Sequence, residues 1–320
     1  MVSSSTHNGS GVQHVVISDD IAGQRLDNFL LSYVKGVPKT RLYRAIRKGE
    51  VRINGSRTQP SYRLQTGDNV RIPPLRVAKR EPKTLLSRDQ ARAEDLNERI
   101  IYEDRDLIVL NKPTGIAVHG GSGLSFGVIE SLRAVRPNEQ LELVHRLDKD
   151  TSGCLVIAKR KSALRAIHSL LRSGQVQKTY LAVVKGQWRG GDSITAPLLK
   201  QVLQSGERIV RVSEQGQASQ TDFDIVDYFP SSTLLSVKPI TGRTHQIRVH
   251  TAFVGNPILG DVKYGNEAFN ERWKKLGLER LFLHASQIAF QLPQANAPLV
   301  VSAPVDKQWA EGIKQLSGER

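Results

Sequence analysis

Between positions 144 and 156 the chain reads VHRLDKDTSGCLV. Asp148 sits there among His145, Arg146 and Lys149, just before an apolar run that opens at Cys154. A carboxylate flanked by cations is held ionised, the form that acts as a nucleophile or a general base near neutral pH. Spacing alone favours a solvated turn with a local ion pair. Arg-Leu-Asp also occurs at 25–27, so the tripeptide by itself proves nothing. Two further stretches carry chemistry. QKTY at 177–180 opens a strand and ends on the phenol of Tyr180. TGRTHQIRVH at 241–250 runs from a glycine turn into a helix start bearing Arg243, His245, Arg248 and His250. Arginines at such a turn suit the clamping of phosphate or carboxylate.

These residues need elements to hold them. In the first quarter of the chain Leu26, Phe29, Leu30 and Tyr33 recur at helical spacing. Leu26 starts that apolar stripe, while Arg25 and Asp27 flank it on the expected solvent side, so Asp27 reads as structural. Pro38 suits the first turn of a second helix, with Leu42, Ala45 and Ile46 on one face and Arg41, Arg44, Arg47 and Lys48 on the others. Gly49 is a natural stop. Val51-Arg52-Ile53 then meets Asn54-Gly55, a hairpin-type turn, and Val70-Arg71-Ile72 reads as another strand. Pro73-Pro74 breaks this module, and 76–97 reads as a charged linker with a short helix near its end. Residues 1–13 read as a disordered tail.

Beyond Ile100 the texture changes. Strands are expected at 107–110, 154–158, 180–184, 209–212, 221–226, 234–238 and 282–290. Helices are expected at 126–136, 162–172, 245–254 and after Asp306. Strands interspersed with helices argue for an α+β domain on a mixed, largely antiparallel sheet.

The net charge of +15 over 320 residues attracts a polyanion. Eleven Lys or Arg against three Asp or Glu fall within 25–72, so the charge is concentrated as nucleic-acid readers concentrate it. A helix studded with arginines can lay them along a phosphate backbone. One cysteine excludes an intramolecular disulfide, and its apolar neighbours make Cys154 a buried strand thiol. No apolar run approaches the roughly 20 residues of a membrane helix, and a cytoplasmic protein is expected. Neither GxGxxG nor GxxxxGK[ST] occurs, so nothing points to a nucleotide cofactor. The glycine-rich run at 119–123 reads as a loop near nucleic acid. His119, His145, His245 and His250 lack metal-ligand spacing and read as structural histidines.

HRLDKDTSG at 145–153, KTY at 178–180 and GRTHQIRVH at 242–250 together resemble the RluA family of pseudouridine synthases. NKPTG at 111–115 and PILGD at 257–261 support the resemblance, which runs from about 100 to the end. Residues 14–75 resemble the S4-like RNA-binding domain that members of this family often carry, and 98–320 would be the catalytic domain. Stretches 23–49, 117–130 and 203–212 resemble members that act on 23S ribosomal RNA.

The resemblance implies an isomerase that breaks the N1–C1′ bond of a uridine and rejoins the ring through C5. The family aspartate corresponds to Asp148, which either attacks the sugar covalently or removes a ribose proton to give a glycal. The family tyrosine corresponds to Tyr180, packing on uracil and helping to remove the C5 proton. Arg243 is expected to pair with Asp148, and Arg146 to fill the gap left by the extracted base. Arg41, Arg44, Arg47, Lys48 and Arg248 are the expected RNA contacts. The implied partner is 23S ribosomal RNA or a large-subunit precursor, bound by a monomer that needs neither cofactor nor metal. A closed, partly apolar pocket is expected, with Ile247 and the strands near Cys154 and Leu181 as candidate walls. Two other readings stay open on the residues alone. A pure RNA-binding factor would not need Asp148, Tyr180 and Arg243 together. A nuclease would use Asp148 and Asp150 to hold magnesium.

Overall fold

The structure is a computed structural model that describes residues 11–19, 21–34, 37–75, 87–120, 127–202 and 208–318. The expected tail up to residue 10, the first part of the linker at 76–86, the glycine-rich loop from 121 and the stretch 203–207 lie outside the described residues. The chain divides into two compact units, Met1–Thr84 and Leu85–Arg320.

In the first unit, strand β1 (Gln13–Val16), helices α1 (Leu26–Tyr33) and α2 (Lys39–Arg47), and strands β2 (Arg52–Ile53), β3 (Ser56–Arg57) and β4 (Asn69–Ile72) follow in order. The sheet runs β1-β4-β2-β3, antiparallel throughout. β1 begins inside the expected tail. The helical spacing read from the sequence is the packing that forms. Leu26, Phe29 and Leu30 of α1 and Leu42, Ala45 and Ile46 of α2 are buried in one core with Val51, Val70 and Ile72. Asn54 and Gly55 both take positive φ, as a tight turn between right-twisted strands demands. Arg44, Arg47 and Lys48 are exposed along α2 and its end, whereas Arg41 is half-buried and pairs with Glu50 at 2.8 Å.

Asp27 is structural, as read, but it faces inward rather than toward solvent. Its carboxylate accepts from Arg25 Nη2 at 2.7 Å, Tyr43 hydroxyl at 3.0 Å and its neighbour's amide, Asn28 N, at 2.9 Å. A buried carboxylate stays charged when donors meet its oxygens, and here Arg25, Tyr43 and the Asn28 amide supply them.

The second unit opens on α3 (Ser87–Glu98), β5 (Ile100–Glu103), β6 (Leu107–Lys112), α4 (Val128–Val135) and β7 (Glu142–Leu143). β8 (Ser152–Ala158), α5 (Lys161–Arg172) and β9 (Gln177–Lys185) follow, then β10 (Ser193–Thr195), β11 (Leu198–Val202), β12 (Arg208–Val212), β13 (Gln220–Tyr228) and β14 (Ser232–Pro239). The chain closes with α6 (Gln246–Phe253), α7 (Glu267–Lys274), β15 (Leu283–Phe290), β16 (Leu299–Ser302) and α8 (Lys307–Ser317). α3 lies where a linker was expected, yet Ala93 and Leu96 are buried and Leu96 joins the core of this unit.

A ten-stranded sheet runs β10-β13-β14-β9-β15-β8-β6-β5, with β7 paired to β8 and β16 to β15. Every pair is antiparallel except β15 with β8. The sheet is therefore mixed and largely antiparallel, as expected. β11 and β12 form a separate two-stranded hairpin. One core gathers around β6, β8, α4 and α5, the other around β9, β14, α7 and α8. Tyr180 on β9 packs against both, so it stands at their seam. β10, β11, β16 and α7 were not anticipated. The three strands are short or half exposed and show little alternation. α7 did carry a signal: Asn266 accepts from Phe269 N as an N-cap, and Phe269 and Trp273 are four apart and buried.

Burial desolvates the Asp27 carboxylate, but the Arg25 hydrogen bond outweighs that and lowers its pKa from 3.8 to about 2. A depressed carboxylate contributes stability that is complete above the unfolded pKa and lost as pH falls through the folded one. Asp27→Asn is therefore expected to destabilise the first unit at pH 7, and the gap from the parent protein to close between about pH 4 and pH 2. Hydrogen exchange of the α1 amides across that range measures it; a gap independent of pH refutes the charge argument.

Candidate active site

The loop between β7 and β8 presents Asp148. Its backbone is pinned from beneath by the NKPTG segment that leaves β6. Lys112 is fully buried, and its Nζ donates to Pro113 O, Ile116 O and Lys149 O at 2.8, 2.8 and 2.9 Å. The Thr114 hydroxyl donates to Asp150 O at 2.7 Å. Asp150 thus lends its carbonyl to the loop architecture. His145 accepts the Val156 amide at 3.1 Å, and burial followed by the Lys178 charge lowers its pKa to about 4. His145 is a neutral structural acceptor. Gly153 (φ +106) lets β8 start here, because a Cβ would stand 2.2 Å from Ala285 O.

Asp148 is 25 % exposed and meets Arg248, whose Nη1 donates to Oδ2 at 3.1 Å. Arg248 is held from its other side by Asp261, with Nε to Oδ2 at 2.7 Å and Nη2 to Oδ1 at 2.8 Å. The Asp261 side chain is wholly buried and also accepts the amides of Lys263 and Tyr264. The guanidinium thus spans two carboxylates and lies 5.2 Å from the centre of the Tyr264 ring. Asp148 Oδ1 accepts no hydrogen bond from any described residue. One oxygen is anchored and the other is available to a substrate.

His245 completes this side. It is the N-cap of α6 with φ 53, a left-handed conformation that places its ring between Tyr264 and Asp148. The Tyr264 oxygen accepts Val210 N at 3.0 Å and lies 2.7 Å from His245 Nδ1. The other ring nitrogen, Nε2, lies 3.7 Å from Asp148 Oδ2. Burial lowers the His245 pKa against the pull of Asp148.

Tyr180 and Asp148 line one cavity of about 590 Å³ with Arg146, Lys178 and Ile247. Leu147, Val176 and Leu283 add apolar wall. Ile247 lies where it was expected; Cys154 and Leu181 are not among the lining residues. Burial, reinforced by the Asp148 charge, pushes the Tyr180 phenol far above its ordinary range. It is a neutral hydroxyl in this pocket. Arg146 is exposed at the cavity wall.

Two arginines exchange their expected places. Arg243 does not pair with Asp148; it is exposed and its Nε donates to Ala218 O at 3.1 Å. Arg248, expected to contact RNA, is 6 % exposed and committed to Asp148 and Asp261. The helix start decides this. Arg243 precedes the cap and lies in the turn, while Arg248 is in the first turn of α6 on its buried side. The signal was present: Arg248 stands between Ile247 and Val249, both buried, and a buried arginine must find carboxylates. Asp261 lies within the PILGD segment singled out in the sequence, without a role attached. His250 is buried and bonded to Ser219, Thr221 and Ala196 O, a structural histidine. Cys154 is buried, and desolvation raises its thiol to about 11.

Comparison with known proteins follows this geometry. The family model described as RNA pseudouridylate synthase matches residues 106–253, and the S4 domain model matches 24–70. The chain is 54% identical over 313 residues to "Ribosomal large subunit pseudouridine synthase C" of Haemophilus ducreyi, covering 97% of this chain and 98% of that protein. It is 53% identical over 313 residues to the protein of that name from Escherichia coli K12, with the same coverages of 97% and 98%. The solved structure of human RNA pseudouridylate synthase domain containing 4 is similar at 29% identity and TM-score 0.60, over 72% of this chain and 98% of that one.

Removing Arg248 leaves Asp261 charged and unpaired in the interior. Arg248→Met is expected to cost about 3–5 kcal/mol of stability in denaturant unfolding. Arg243→Met, which loses one exposed bond to a carbonyl, is expected to stay within about 0.5 kcal/mol. Equal effects would overturn the assignment of Arg248 as the buried partner.

Proposed function

The chain belongs to the RNA pseudouridylate synthase family, and from that premise we propose that it converts uridines of 23S ribosomal RNA to pseudouridine with Asp148 as the reacting carboxylate. It is an RNA pseudouridine synthase, an isomerase of uridine in RNA. The observation that carries the role of Asp148 is its placement: one oxygen held by Arg248, the other open to a cavity walled by Tyr180.

A uridine turned out of its helix enters this cavity, and Arg146 at the wall replaces part of the stacking it leaves behind. Asp148 Oδ1 approaches the sugar and either bonds to C1′ or takes the proton from C2′. The N1–C1′ bond breaks with its electron pair leaving on uracil. The ring turns and C5 bonds to C1′ as Asp148 leaves C1′ or, on the glycal route, returns its proton to C2′; the C5 proton is then lost and N1 is protonated. Atoms balance without an oxidant, a reductant or an added group. Arg248 fixes the carboxylate so that no reorganisation is needed as the bond breaks. Tyr180 supplies a flat surface for the ring. Its raised pKa supports packing over direct proton abstraction, because removing a proton would need the phenolate.

RNA affinity in this reading comes largely from the first unit, through Arg44, Arg47 and Lys48 on one exposed helix end. Arg41 contributes less, being paired with Glu50. The large-subunit names of the relatives and their near-complete coverage support 23S RNA or its precursor as the substrate. We place the enzyme, as a monomer, in the cytoplasm where that RNA is assembled.

Asp148→Asn removes one charge and almost no volume, so turnover should be lost while RNA still binds. Chemical mapping of pseudouridine on ribosomal RNA incubated with each protein checks this, run in chelator to separate it from magnesium-dependent strand scission. Turnover by the Asn variant refutes the role of Asp148. Replacing Arg44, Arg47 and Lys48 with Gln should flatten the slope of log affinity against log salt by about 2–3. An unchanged slope in filter binding removes that helix from the interface.

A further inference from the structure

Lys178 is a half-buried cation of this cavity that the assignments above leave unused; Arg172 and Arg243 also line it but are exposed. It lies two residues before Tyr180 on β9, so both side chains leave the same face of the strand, roughly 7 Å apart. Both line the cavity. Nζ of Lys178 lies 3.8 Å from where a Cβ on Gly242 would stand, beside the turn that leads into α6. Among the described residues no carboxylate, hydroxyl or carbonyl receives a hydrogen bond from it. Burial alone lowers its pKa, with no counter-charge to restore it. Lys112, the fully buried lysine of the site, gives all three of its protons to carbonyls. A desolvated ammonium with no protein partner, facing a cavity, is matched by charge that arrives with the substrate.

We propose that Lys178 is a catalytic residue that pairs with the negative charge uracil carries while it is detached from the sugar; the inference rests on the pseudouridine synthase reading above. Breaking N1–C1′ puts the bonding pair on the ring, spread over N1, O2 and O4. A ring lying on Tyr180 brings a carbonyl edge within reach of a side chain one strand repeat away. Lys178 forms no covalent bond and transfers no proton. It remains an ammonium throughout, and its attraction is greatest when the ring is an anion, in a pocket where water does not dilute it. The charge vanishes once C5 has bonded, its proton has left and N1 is protonated. An ammonium aimed at a backbone phosphate would explain the same vacancy, but it would hold substrate and transition state alike and so act on binding rather than rate.

The test uses the full chain and a fragment of large-subunit ribosomal RNA containing a uridine that the wild-type enzyme converts. If wild type makes no pseudouridine on any such fragment, the parent reading fails and not this one. With conversion established, Lys178→Met should lower the single-turnover rate at saturating RNA about a hundredfold with the dissociation constant unchanged, and Lys178→Arg should recover part of the rate. Denaturant unfolding should show the Met variant at least as stable as wild type, since it removes a half-buried cation that no described residue pairs with. A weaker dissociation constant at unchanged rate assigns Lys178 to a phosphate and overturns the proposal. So does an unchanged rate.

Discussion

One guanidinium shared between two carboxylates is the constraint on which the site depends. Arg248 gives two bonds to Asp261, which no solvent reaches, and one to Asp148, which the cavity reaches. Burying three charged groups is costly, and it is offset only because Asp261 also accepts two backbone amides and the arginine lies against Tyr264. Such a cluster has one geometry in which every donor and acceptor is met. Asp148 therefore inherits its aim from residues a hundred positions away. The asymmetry of the sharing matters for chemistry: the inner carboxylate is saturated, and the outer one keeps an oxygen to which no described residue donates.

The fold brings these groups together by joining two cores along β9, β15 and β8. The Asp148 loop belongs to the first core and is braced by Lys112 and Thr114. Arg248 and Asp261 belong to the elements around the second. The single parallel pairing in the sheet, β15 on β8, sits at this junction, and Gly153 permits it by letting the Ala285 carbonyl approach where a side chain would stand. Tyr180 packs on both cores, so its ring cannot shift without disturbing either. The hairpin β11–β12 reaches the same cluster through Val210 and Tyr264, which holds the ring of His245.

Much of this was legible from residue types and spacing. The helical periods of α1 and α2 gave their buried faces, and the mixed sheet followed from the strand texture. Asp148 and Tyr180 stood out through three motifs, and the cavity holds both of them. The arginine was misread because a motif presents its residues in a line. Arg243 and Arg248 are both in GRTHQIRVH, and only the place where the helix begins says which faces inward. Likewise Asp27 was read as structural from its neighbours, but its inward turn needed Tyr43 and Arg25 in position.

What the sequence by itself determined was the inventory: a basic helix-rich module, an α+β unit after it, and an aspartate, a tyrosine and arginines in stretches with the chemistry of uridine isomerisation. The module and the unit after it follow from local periodicity and residue chemistry, which neighbouring positions carry, and the isomerisation from the resemblance of those stretches to a known family. The tertiary structure decided the pairings: Arg248 rather than Arg243 on Asp148, Asp261 behind it, His245 held by Tyr264, and Lys178 left with a charge that no described residue meets. Pairing energies depend on distance and on exclusion of water, and both are set by chain segments that meet only after folding.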